Sequence, residues 1–110
     1  MMSQYLFIES QDPLEDRGAD AYLETALELC RQKETVTVFF VENGANATRK
    51  GAQVALRDDL LAAGAAVKVD SLALQERGIH ANGLPAGLEI GTVEDIVDLL
   101  ADPETKAVWH

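Results

Sequence analysis

Residues 35–41 read Thr-Val-Thr-Val-Phe-Phe-Val and pass directly into the turn Glu42-Asn43-Gly44-Ala45-Asn46. An unbroken run of β-branched and aromatic residues with no charge among them fits a strand buried on both faces, not a half-exposed one. A strand covered on both sides needs helices above and below it. The run therefore predicts a parallel sheet whose functional loops leave the carboxyl ends of its strands, and the loop from Glu42 to Thr48 is the first place to look for a site.

The remaining chain alternates around that strand. Tyr5, Leu6, Phe7 and Ile8 form the apolar centre of a first strand, Gln4 to Glu9, which ends at the polar turn Ser10-Gln11-Asp12-Pro13. From Asp20, the residues Ala19, Tyr22, Leu23, Ala26, Leu27 and Cys30 recur at three- and four-residue spacing, the mark of an amphipathic helix. Glu15, Asp16 and Asp20 sit before and inside its first turn, where they offset the helix dipole. After the central strand, Asn46 or Thr48 is expected to cap a helix running through Ala52, Ala55, Leu56, Leu60 and Ala63 and closed by Gly64.

Ala66-Val67-Lys68-Val69 is a third strand, and Asp70 or Ser71 caps a short helix, residues 72–77. Residues 79–87 hold His80, Asn82-Gly83 and Pro85-Ala86-Gly87 and read as a loop over the sheet's edge or in an interface. Leu88-Glu89-Ile90 is a minimal fourth strand; Thr92 and Asp95 resemble a capping box ahead of a last helix carrying Val93, Ile96, Val97 and Leu100. Asp102-Pro103 ends that helix, and Lys106-Ala107-Val108-Trp109 closes the sheet, with Trp109 expected at an interface or core edge. The expectation is one domain, residues 1–110, with a three-layer α/β/α architecture, a mainly parallel five-stranded sheet and flavodoxin-like alternation of strands and helices.

Charge and cysteine content narrow the function. Nineteen Asp and Glu against nine Lys and Arg give a formal net charge of -10, which opposes the counterion displacement that nucleic-acid binding requires. No apolar run approaches the roughly 20 residues of a spanning helix, so no membrane role is expected. Met1-Met2-Ser3-Gln4 shows neither a basic region nor a cleavage site, and the expected location is cytoplasmic. One cysteine and two separated histidines build neither a disulfide nor a zinc site, and no cofactor loop of the Gly-x-Gly-x-x-Gly or Walker type follows any strand. Asn43, Asn46 and Lys50 could hold a small anion at a helix N-terminus. Cys30 on an apolar stripe near a helix C-terminus is expected to be a buried structural thiol.

Four segments together resemble a known family: residues 5–9; residues 35–44, Val-x-Val-Phe-Phe-x-x-Asn-Gly within them; Leu74-Gln75-Glu76-Arg77-Gly78-Ile79; and the closing Lys106-Ala107-Val108-Trp109. The set, spread over nearly the whole chain, is similar to the DsrE/DsrF/DsrH-like family of small sulfur-relay proteins. The resemblance implies a parallel α/β sheet, a cytoplasmic location, homo-oligomers or hetero-oligomers with DsrE-family proteins, and, in active members, a cysteine that carries persulfide sulfur. Counting back from Arg77, that cysteine's position falls on Asp70 or Ser71, and neither side chain forms a persulfide. The expectation is a noncatalytic subunit or binding module with candidate binding residues Asn43, Gly44, Asn46, Asp70, Ser71 and His80. The alternatives are a sulfur carrier using Cys30 and a small-anion or small-ligand binding module. Self-association is also expected, on the resemblance and on Leu84, Pro85 and Leu88, which a monomer would leave wet.

Overall fold

A computed structural model describes residues 3–110; Met1 and Met2, part of the stretch on which the reading of no signal peptide rests, lie outside them. The chain alternates strictly. Strand β1 (Gln4–Glu9) leads to helix α1 (Gly18–Arg31), β2 (Thr35–Phe40), a 3₁₀ turn (Glu42–Thr48), α2 (Ala55–Ala62), β3 (Ala66–Asp70), α3 (Ser71–Glu76), a short 3₁₀ turn (Ala81–Gly83), β4 (Glu89–Gly91), α4 (Val93–Ala101) and β5 (Thr105–Trp109). All five strands are parallel, in the order β4-β3-β2-β1-β5. The apolar run thus forms the middle strand over Thr35–Phe40, with Val41 leading into the turn.

Side-chain alternation on the strands sorts the core into two layers. Phe7, Val36, Val38, Phe40, Val67 and Val69 pack against Leu23, Ala26 and Leu27 of α1, Leu60 of α2 and Ala73 and Leu74 of α3. Leu6, Ile8, Phe39 and Val41 face the other way and meet Ile96 and Leu99 of α4. Three helices cover one face and a single nine-residue helix covers the other. Phe39 is fully buried beneath α4, and burying a side chain of that size contributes about 2–3 kcal/mol. Gly91 permits the fit, because a Cβ there would lie 2.6 Å from Phe39 Cζ.

Local signals in the sequence govern several element boundaries. Asp70 Oδ2 accepts a hydrogen bond from Ala73 N at 3.2 Å and caps α3. Thr92 and Asp95 form a complete capping box on α4. One expectation is corrected. Neither Asn46 nor Thr48 caps α2, which begins only at Ala55 behind Val54, a residue without a side-chain cap. Thr48 Oγ1 instead donates to Ala45 O within the 3₁₀ turn, Asn46 is committed to Asp12 and Arg49, and Gly51 adopts φ +85°, which breaks helical continuity before α2. The buried Arg57 ties the two elements together, with Nη1 donating to Ala47 O and Nε to Asp58.

The apolar exposure expected in the 79–87 segment also falls elsewhere. Leu88 is buried, and Leu84 packs on the core beside Ile79. Among the described residues the large exposed apolar side chains are Leu14, Leu72, Ile90, Val93, Val97, Leu100, Val108 and Trp109, the last 65% exposed and so outside the core. Val93, Val97 and Leu100 recur at four- and three-residue spacing and make an outer stripe on α4. Among the described residues no helix is long and apolar enough to cross a membrane.

Candidate functional site

In a parallel sheet wound in two directions, crevices open at the strands' carboxyl ends where the winding reverses. Here β1, β2, β3 and β4 step outward in one direction, and the chain then returns to place β5 on the other side of β1. The reversal lies between Glu9 and the residues that end β5. Glu9 is fully buried there, and both its carboxylate oxygens approach His110 Nδ1, at 3.0 and 2.9 Å. Gln11 N donates to Glu9 Oε2 at 3.2 Å.

Opposing effects act on the Glu9 carboxyl. Burial pushes its carboxyl above the ordinary carboxylate value, against the lowering effect of the Gln11 N–H and of His110. Tyr22 stacks on His110 with ring centroids 5.1 Å apart, and its single hydroxyl proton is shared between Ile8 O and Val108 O. Burial, and secondarily the Glu9 charge, raise the Tyr22 phenol above its ordinary value. Ser10 Oγ donates to His110 O at 2.7 Å. The serine hydroxyl is therefore committed to the backbone, and the arrangement clamps β1 to β5. Sequence reasoning missed Glu9 and His110, since only the strand order brings them together.

A cleft of about 470 Å³ opens beside this point, lined by Asp12, Glu15, Asp16, Arg17, Asn43 and Asn46 among others. A second, of about 410 Å³, lies between the segments that follow β2 and β3 and includes Arg49, Lys50 and His80. Ser71 and His80 border a third, of about 520 Å³, with Leu72 and Ile90. Asn43, Asn46, Ser71 and His80 are thus divided among three depressions, and Gly44 and Asp70 line none of them. Asn43 Oδ1 accepts from Arg77 Nη2 at 3.0 Å, and Asn46 is braced by its Asp12 and Arg49 partners at 3.2 and 3.0 Å.

Two of the expected binding residues serve packing. Gly44 is buried, and a Cβ there would lie 2.1 Å from Glu9 O; its N–H also donates to Val41 O at 2.8 Å. Only glycine allows the 3₁₀ turn to approach β1 so closely. Asp70 is buried and holds α3 through its cap. Cys30 is 9% exposed, and its Sγ donates to Ala63 O at 3.2 Å, between α1 and the end of α2.

No protein-family model matches this sequence, and no curated protein matches it. Solved structures do resemble the fold. The ychN protein from E. coli is 18% identical with a TM-score of 0.86, and the alignment covers 100% of both chains. The protein of unknown function MTH1491 from Methanobacterium thermoautotrophicum is 15% identical with a TM-score of 0.83, over 98% of this chain and 99% of its own. The conserved protein of unknown function BT1422 from Bacteroides thetaiotaomicron is 10% identical with a TM-score of 0.69, over 96% and 94%. At these identities the likeness is one of fold, and it extends over essentially the whole chain.

Proposed function

We propose that this protein is a noncatalytic, DsrE-like subunit or binding module of a cytoplasmic sulfur-relay assembly. The observation that carries this reading is the state of the positions where sulfur chemistry would reside. The carboxyl end of β3 holds Asp70, whose carboxylate caps α3, and the chain's sole thiol, Cys30, is buried against the backbone of Ala63. Sulfur transfer needs an accessible thiolate, because attack on a persulfide proceeds in line at sulfur. A chain with neither feature binds or assembles; it does not carry.

Assembly with further copies, or with proteins of the same fold, is the second part of the proposal. The α4 stripe of Val93, Val97 and Leu100 supports it, because the helix buries Ile96 inward and leaves these apolar side chains on its outer side. Sedimentation velocity at micromolar concentration tests this part: an oligomer for the parent chain and a monomer for Val97→Glu are expected. A parent that sediments as a monomer throughout would overturn it.

A further inference from the structure

We infer that the cleft between the segments after β2 and β3 is a binding site for a phosphate- or sulfate-type oxyanion, free or carried by a small molecule. The first observation is a local reversal of charge. Acidic residues outnumber basic ones 19 to 9 in this chain, yet the lining of this cleft, with Arg49, Lys50, Gly78, His80, Asn82 and Gly83, contains no carboxylate. By contrast, Arg57 and Arg77 each approach an acidic neighbour, Asp58 at 3.0 Å and Glu76 at 4.0 Å. Among the described residues neither Arg49 nor Lys50 has a carboxylate partner within ion-pair distance.

The second observation is that Arg49 is positioned without being neutralised. Its Nε donates to Asn46 Oδ1 at 3.0 Å and its Nη2 to the Arg77 carbonyl at 3.3 Å. Both partners are uncharged, so the guanidinium keeps its full charge and its remaining N–H donors while the side chain is fixed across the two segments. Asn46 is itself anchored by Asp12 from the loop after β1. The Lys50 stem runs beside Gly83, which joins the far wall of the cleft to the near one. A planar fork and a flexible ammonium facing one space suit the several acceptor oxygens of an oxyanion.

The cleft is walled by the segments that follow two adjacent parallel strands, β2 and β3, away from the point where the winding reverses. The strongly negative remainder of the protein opposes an incoming anion at long range, but that field is screened beyond about 8 Å at physiological ionic strength. Two charge-assisted contacts with an exposed anion put the expected Kd on the order of a millimolar. This inference rests on the binding-module reading only in placing function at the sheet's edge. Its failure would leave the behaviour of Cys30 untouched, and sulfur loading at Cys30 would leave this cleft untouched.

The test is amide NMR on the full chain, titrated with inorganic phosphate, with sulfate and with a phosphomonoester, at an ionic strength held constant with chloride. The expected result is a saturable shift centred on residues 49–50 and 78–83, weakened about tenfold by Arg49→Gln and abolished when Lys50→Gln is added. Both residues are exposed, and an unchanged thermal midpoint would establish that the double variant is folded. Tighter binding of the phosphomonoester would assign the site to a small molecule's phosphate group; equal binding would assign it to the free oxyanion. Shifts that do not saturate, that spread over the surface, or that persist in the folded double variant would overturn the site.

Discussion

The Glu9 carboxylate, with no solvent exposure, meets His110 Nδ1 at 2.9 Å across the β1–β5 pairing, where the winding of the sheet reverses. Because burial raises the Glu9 carboxyl in the folded chain, the native state holds this proton more tightly than the unfolded one. The associated stabilisation is complete below the ordinary value of 4.5 and is lost as pH rises through the raised value. Glu9→Gln removes this titration. The variant is expected to gain stability relative to the parent as pH rises from 4.5 towards neutrality, measured by urea unfolding at a series of pH values. A stability difference independent of pH would show that Glu9 ionises in the fold as freely as in water.

Gly44 tests the close contact between the 3₁₀ turn after β2 and the end of β1. A methyl group at this position would overlap the Glu9 carbonyl, and backbone on both sides cannot yield as a flexible side chain would. Gly44→Ala is expected to destabilise the protein by about 3 kcal/mol, at the upper end for overpacking. Chemical denaturation measures this. A loss below about 0.5 kcal/mol, the size of an ordinary surface substitution, would mean that the turn moves away from β1 at little cost.

Asp70 is assigned a capping role, which separates it from a ligand-binding one. Removing the cap with Asp70→Ala should cost about 1 kcal/mol, whereas Asp70→Asn retains an acceptor for the Ala73 N–H and should cost only a few tenths. Equal losses for the two variants would indicate that the charge of Asp70, not its acceptor oxygen, is what the fold uses.

How far the sequence reaches can be followed residue by residue. The uncharged run at 35–41 reveals a central strand because burial on both faces excludes every charge, and Asp70 and the Thr92–Asp95 pair are legible because capping is local chemistry. Cys30 falls on the stripe of Leu23, Ala26 and Leu27 and is buried as that periodicity implies. The start of α2 was not legible, because Asn46 and Thr48 look like caps until the tertiary partners Asp12 and Arg49 and the Ala45 carbonyl engage them. The Glu9–His110 contact joins residues at opposite ends of the chain and depends on β5 pairing with β1, which no local pattern encodes. The Arg49–Lys50 cleft likewise needs the segment after α3 to fold back beside them.

The proposed role requires that this chain not carry sulfur, and Cys30, its sole thiol, is where sulfur would have to reside. The native protein, treated with a persulfide donor and weighed by intact mass spectrometry beside Cys30→Ala, is expected to retain its unmodified mass, because the thiol is packed between α1 and α2 with its S–H directed at Ala63 O. Unfolding the protein before treatment should expose the thiol and permit the adduct, which would show that the reagent is competent. A sulfur adduct on the folded parent, absent from Cys30→Ala, would contradict the account and make Cys30 a carrier.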